Sequence, residues 1–226
     1  MSAATPGRFV DATPIPELDF AIQEAGPLEY AAAPTLRFGL AIESVRGDPI
    51  RSVVLDVQVQ IAARRRAYDD ATEERLYELF GEPERWGSTL RTLPWSRVTV
   101  AVPPFTGTTS IDLPVSCTYD FEVAASRYLN ALEDGEVPLE FLFGGTVFYA
   151  DAGGLLKTAR ISWDKEAEYR LPAAVWRDTM DHYFPNSAWL RLRKDSFDRL
   201  YAYKARNALP GWEEAVDSLL RGSEGT

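Results

Sequence analysis

At 226 residues the chain is long enough for one large domain, or a domain with an appendage, and holds ample material for a core. Its 46% hydrophobic and 26% charged residues are ordinary globular composition and argue against disorder. With 24 Lys and Arg against 34 Asp and Glu, the formal charge of −10 repels phosphate backbones, so no nucleic-acid partner is expected unless a local basic patch overrides the field.

The single cysteine, Cys117, allows neither an intrachain disulfide nor a multi-cysteine zinc site and suits a reducing compartment. The sequence near Met1 has no basic start followed by an apolar stretch, and no apolar run approaches the ~18 residues of a membrane span. A cytoplasmic protein without membrane insertion is expected.

Residues 1–16, rich in Ala, Thr and Pro, read as a flexible leader. Leu18-Asp19-Phe20-Ala21-Ile22 alternates as a first strand. Leu36, Phe38, Leu40 and Ile42 then recur at period two, as do Val53, Leu55, Val57, Val59 and Ile61. With Arg46-Gly47-Asp48-Pro49 as the turn, these two strands are expected to pair as an antiparallel hairpin. A helix follows, capped by Asp70 with Glu73 three residues on, striped by Leu76, Leu79 and Phe80, and ended by Gly81 and Pro83.

Trp95, Val98, Val100 and Val102 start another strand. The longest alternation runs from Ile111 through Leu113, Val115, Cys117, Tyr119 and Phe121 to Val123, and Pro114, with no N–H to give, places it at an edge or a bulge. Ala125, Tyr128, Leu129 and Leu132 share one helical face. The run from Val137 to Trp163 reads as a hairpin turning at Asp151-Ala152-Gly153-Gly154. Its first arm is apolar in both phases, with Phe141, Phe143, Val147 and Tyr149 on one face and Leu142 and Phe148 on the other, which places it centrally. Glu166–Leu171 reads as a last short strand. Three helical stretches close the chain, through Trp176/Met180/Tyr183/Phe184, Phe197/Leu200/Tyr201/Lys204 and Trp212/Val216/Leu219/Leu220.

Strands first and helices last, without βαβ alternation, predict a mainly β (α+β) fold: an antiparallel β-sandwich or open barrel with a C-terminal helical segment packed on it. The expected division is a leader over 1–16, a sandwich-like domain with two inserted helices over 17–171, and a helical extension of the same domain over 172–226.

Few residues suggest chemistry. His182, the only histidine, stands four residues after Asp178 and reads either as an oriented general base or as a solvated surface couple, which exposed pairs ordinarily are. Cys117 is in phase with inward residues, and a buried thiol is inert. Gly144-Gly145 reads as a bulge or a close backbone approach, Gly153-Gly154 as a turn, and neither fits a phosphate-cradling pattern. Arg64-Arg65-Arg66 could hold an acidic partner or be a hydrated strand end balanced by nearby acids. Of six Trp, Trp95, Trp163, Trp176 and Trp212 fall at core positions, which leaves Trp86 and Trp189 as candidate anchors for a partner. No cofactor, metal or catalytic set is assigned.

Several phrases carry a resemblance: Arg65-Arg66-x-Tyr68, Leu79-Phe80-Gly81 with Trp86, Val102-Pro103-x-Phe105, Cys117-Thr118-Tyr119-Asp120, Pro138-Leu139-x-Phe141-Leu142-Phe143, and Tyr183-Phe184-Pro185-Asn186 with Trp189. Together they resemble an actinobacterial family defined by a domain of unknown function, over about Pro16 to Leu220. The resemblance implies members encoded beside [NiFe]-hydrogenase genes and brings no catalytic residues to carry over. Two functions are therefore expected as alternatives. One is a non-catalytic interaction or assembly module, partnered by another protein such as a hydrogenase subunit or maturation factor. The other is a small-ligand binder or enzyme with a pocket between the sandwich and the C-terminal helices, for which Tyr119, Asp120, Arg127 and His182 are the first candidates.

Overall fold

Period-two alternation dominates the first two-thirds of the chain, and the computed structural model, which describes residues 14–118, 123–185 and 191–224, turns it into two antiparallel sheets. In chain order β1 (Leu18–Pro27), β2 (Thr35–Ser44) and β3 (Ile50–Ile61) precede α1 (Asp70–Phe80). A short α2 (Trp86–Thr89) leads to β4 (Leu93–Val102) and β5 (Thr108–Ser116). Then α3 (Ala124–Asn130) leads to β6 (Glu136–Ala150), β7 (Leu156–Arg160) and β8 (Glu166–Pro172). The helices α4 (Ala173–Tyr183), α5 (Lys194–Arg206) and α6 (Trp212–Glu224) follow. The fold is α+β, mainly β, and neither sheet closes into a barrel. The chain divides into two units, residues 1–187 and 188–226.

In the first unit the larger sheet is organised on β6. One side of β6 pairs with β3 from Leu139↔Ile61 to Tyr149↔Ile50. Its other side is shared, β8 taking Glu136 to Leu142 and β7 taking Thr146 to Ala150. At the changeover the chain crosses from β7 to β8, and the β6 backbone is still satisfied: Ile161 N–H donates to Gly145 C=O (3.1 Å) and Phe143 N–H to Lys165 C=O (2.9 Å). Gly145 sits there at φ +127°, and a Cβ on it would lie 2.1 Å from the Val54 carbonyl oxygen. The expected close approach is therefore real and demands glycine at that position.

The smaller sheet runs β1-β2-β5, with Pro114 on the edge strand β5, where its missing N–H costs no ladder bond. Within the alternation expected to continue to Val123, β5 ends at Ser116, residues 119–122 lie outside the described residues, and Val123 precedes α3 as its N-cap. The expected β2–β3 hairpin is also corrected. β2 pairs with β1 and β5, β3 with β4 and β6, and the Arg46–Pro49 turn carries the chain from one sheet to the other. Both strands bury one face, and a buried face is served equally by a partner alongside or by a sheet opposite.

The two sheets meet through aromatic side chains. Phe38 of β2 is fully buried and meets Phe141, Tyr169 and Trp95 edge-on at centroid distances of 5.2, 6.0 and 6.2 Å, while Phe20 stacks on Phe143 at 4.3 Å. Each buried side chain of this kind is worth roughly 1.5–3 kcal/mol, and each good ring pair about 0.5–1.5 more.

The helices between strands extend the same apolar core. Asp69, not Asp70, caps α1: its carboxylate accepts from the Thr72 N–H at 2.8 Å. Both acids can cap, and the helix begins one residue earlier than the sequence pattern suggests. Phe80, Trp86, Tyr68 and Tyr128 pack edge-to-face around Leu76. The Tyr68 hydroxyl donates to Ala63 C=O and accepts from Tyr128, each at 2.7 Å, and burial pushes both phenols up. α4 joins this unit through Trp176, whose Nε1 donates to Asn130 Oδ1 (3.0 Å) and whose ring meets Trp95 at 6.1 Å. The Tyr183 hydroxyl, 3.2 Å from both Leu28 and Ala31 carbonyls, ties the end of α4 to the β1–β2 loop.

The second unit is a helical hairpin of α5 and α6 joined through Pro210-Gly211. Among the described residues no helix is long and apolar enough to cross a membrane.

Candidate functional site

The basic triplet is engaged within the first unit. Arg64 donates to the carbonyls of Leu90 (2.5 Å) and Gly87 (3.2 Å). Arg65 pairs with Glu140 (3.0 Å) and Glu168 on the outer face of the larger sheet. Arg66, nearly buried, donates to the carbonyls of Asp134 (3.0 Å) and Glu136 (3.2 Å) and lies over the Tyr68 ring. These guanidinium groups tie the end of β3 to α2 and β6, so the triplet's geometry is that of a brace.

Trp86 is 8% exposed and donates its Nε1 to Gly81 C=O at 2.9 Å, which places this candidate anchor in the core. Trp189, Tyr119 and Asp120 lie outside the described residues. Arg127 pairs with Glu78 across α3 and α1 at 3.0 Å. His182 and Asp178 are both exposed on α4, with the His182 ring edge-on to Tyr183 at 5.1 Å. Burial pushes the Cys117 thiol up to about 12, so it is not a nucleophile near neutral pH. Among the described residues no group of three or more His, Cys, Asp or Glu is placed to hold a metal ion.

Three of the clefts formed by described residues are lined by neither Arg127 nor His182. One of about 220 Å³ lies between residues 15–18 and 160–165, where Lys165 Nζ is held by Asp19 (2.7 Å) and Glu17 (3.2 Å). Its Asp164 carboxyl is held below the usual range by the Ser162 side chain, the reverse of an acid poised for proton transfer. A second, of about 510 Å³, is an open groove on the outer face of the smaller sheet, floored by Ala21 and Ala41. The third, of about 460 Å³, runs along the second unit between Arg199, Leu200, Tyr203 and Leu219.

That second unit carries the most exposed apolar surface. Phe197 and Trp212 (each 41% exposed), Tyr201, Val216, Leu219 and Leu220 all remain accessible, whereas Ala215 is fully buried. Phe197, Tyr201 and Trp212 form one aromatic cluster with centroids 5.3–6.4 Å apart, and the Lys204 ammonium lies 5.6 Å over the Trp212 ring. The hairpin is pinned on another side by Tyr203 hydroxyl and Ser218 Oγ at 2.7 Å. Two helices bury only the narrow strip where they touch, so a stripe as wide as Trp212–Val216–Leu219–Leu220 has side chains left over.

Two tryptophans assigned to the core are thus at the surface. Trp212 is one. The other is Trp163, 93% exposed because β7 ends at Arg160 and strand alternation does not reach it. The period of α6 carries the signal for this face, and a two-helix hairpin leaves exposed what that period assigns to a core.

Comparisons with known proteins assign no chemistry to this surface. A late embryogenesis abundant protein is 13% identical and aligns over 70% of this chain and 73% of its own, with a TM-score of 0.30. The ApaA protein from Bordetella pertussis is 10% identical over 70% of this chain and 96% of its own, with a TM-score of 0.23. Beta-glucosidase 3B from Thermotoga neapolitana is 13% identical over 69% of this chain and 17% of its own, with a TM-score of 0.25. Scores this low support no argument. No curated protein matches the chain. Residues 15–226 match the sequence model of a "Family of unknown function (DUF6084)".

Proposed function

The chain belongs to that family, DUF6084, and we propose that it is a non-catalytic protein-interaction or assembly module that docks a partner through the α5–α6 hairpin. The observation that carries this reading is the apolar surface gathered on one short hairpin: Phe197, Tyr201, Trp212, Val216, Leu219 and Leu220 are all exposed within residues 188–226. Contiguous apolar surface of this kind marks an interaction site, and Trp and Tyr are the residues that anchor such contacts. An enzyme with an enclosed pocket is less well supported, because the three clefts named above are open and, among the described residues, the carboxyls that shift are lowered rather than poised near neutrality. The [NiFe]-hydrogenase link implied by the sequence resemblance makes a hydrogenase subunit or maturation factor the first partner to try, in an actinobacterial cytoplasm.

The test compares two immobilised baits in native lysate, the natural chain and a Trp212→Ser/Leu220→Ser variant. A protein retained in stoichiometric amount by the first and lost from the second is the expected result. Identical recovery on both baits would refute the hairpin as the docking face.

A further inference from the structure

We propose that the hairpin binds the same hairpin of a second copy, two α5–α6 pairs closing into an antiparallel four-helix bundle about a twofold axis. The inference rests on the interaction reading above and names its partner.

Charge carries the choice of partner. Residues 191–206 hold six basic side chains (Arg191, Arg193, Lys194, Arg199, Lys204 and Arg206) against two acids, Asp195 and Asp198. Residues 212–224 hold four acids, Glu213, Glu214, Asp217 and Glu224, against one base, Arg221. Among the described residues no ion pair joins the two helices; the pairs formed here, Arg193–Asp195 and Lys194–Asp198, are local to α5. One helix basic and its neighbour acidic is a self-complementary pattern under a twofold axis, which lays each α5 beside the α6 of the other copy.

The rest of the chain favours the same contact. Residues 1–187 carry 17 basic and 28 acidic side chains, whereas residues 188–226 carry seven and six. Two such acidic bodies repel, so like copies meet most readily through the near-neutral hairpin. An anionic membrane or a nucleic acid would be attracted by α5 alone, against the acids of α6 and the acid excess of residues 1–187.

Packing sets the strength. A 13-residue helix is about 20 Å long, and two helices side by side are about 20 Å wide, a footprint of roughly 400 Å². That is about half of what each partner gives to a standard stable interface, so the dimer is reversible and micromolar. In the bundle Trp212, Val216 and Leu220 would become core positions, as the facing residues of four-helix bundles are.

The experiment is sedimentation equilibrium of the purified full chain from about 1 to about 200 μM, the range a small interface occupies. The expected mass rises from the 25.3 kDa monomer toward twice that value. Trp212→Ser/Leu220→Ser should weaken association at least tenfold with circular dichroism unchanged. Glu213→Lys/Asp217→Lys and Arg199→Glu/Arg206→Glu, all at exposed positions, should each stay monomeric alone and associate when mixed. A constant 25.3 kDa at every concentration overturns the dimer and leaves the interaction reading to the lysate comparison. A dimer that survives Trp212→Ser/Leu220→Ser overturns the hairpin as its contact, and swapped variants that fail to associate overturn the antiparallel arrangement.

Discussion

Replacing Gly145 by alanine adds one methyl group where β6 passes closest to β3. The new Cβ would sit 2.1 Å from the Val54 carbonyl oxygen, and ordinary contact begins at 3.4 Å, so one strand must move by about 1.3 Å. A displacement of that size breaks a ladder hydrogen bond or two around the Leu55↔Gly145 pair, each worth about 0.5–1.5 kcal/mol. Alanine must also hold φ +127°, a region nearly confined to glycine that costs about 1–3 kcal/mol. The total is roughly 3–5 kcal/mol, a large part of the 5–15 kcal/mol that holds most domains together. The neighbouring Gly144 is the control. No atom lies within 4 Å of its would-be Cβ and its φ is not positive, so Gly144→Ala should stay within about 0.5 kcal/mol of the natural chain. Urea unfolding followed by tryptophan fluorescence reads both. With a slope of about 2 kcal/mol per molar, Gly145→Ala should lower the midpoint by about 1.5–2.5 M. Equal midpoints for the two variants would show that β3 and β6 do not meet at the pairing described.

Other consequences are as direct. Trp176→Ala removes a side chain 1% exposed that holds both Trp95 and Asn130, and should cost about 3–5 kcal/mol in the same assay; a loss under about 1 would contradict the packing of α4. Cys117, with its thiol pushed to about 12, should react with a disulfide reagent at about pH 8 only on unfolding; labelling as fast as glutathione would contradict its burial. Lys165 is raised by its hydrogen bond to Asp19, so its contribution is complete below the unfolded value near 10.4 and is lost as pH rises through the higher folded one. The stability gap between the natural chain and Lys165→Met should therefore be open at about pH 8 and close as the pH rises through the raised folded value; a gap that widens with alkali would reverse the sign. Asp69→Ala should raise amide exchange in the first turn of α1, and unchanged exchange there would mean that the cap is not made.

Strands were legible wherever one face is buried. Leu36, Phe38, Leu40 and Ile42 are all fully buried, as their spacing requires, and the near-continuous apolar run of β6 marked a central strand. Partner choice was not legible, because alternation fixes which side faces inward and says nothing of which strand lies alongside. Hence β2 and β3 look like partners in sequence and lie in different sheets. Pro83 close to Trp86 suggests a surface loop, whereas the Trp86 ring turns back onto Phe80 and Tyr68. The arginine triplet was opaque for another reason: its acceptors are mostly main-chain carbonyls of Gly87, Leu90, Asp134 and Glu136, which every residue owns and no side-chain pattern reveals. In the hairpin the periodicity of α6 was visible, but whether two helices suffice to cover Trp212 and Leu220 is a matter of area, which a list of residues does not carry.

The sheet order also dictates when the molecule can assemble during synthesis. The smaller sheet waits for β5, some 65 residues after β2, and the larger waits for β6, about 75 residues after β3. At translation speeds of about 5–20 residues per second, β3 leaves the ribosome several seconds before the strand that satisfies its second edge. Over that interval the nascent chain presents an apolar ribbon with open amides, and holding it out of reach of like ribbons is work for a chaperone.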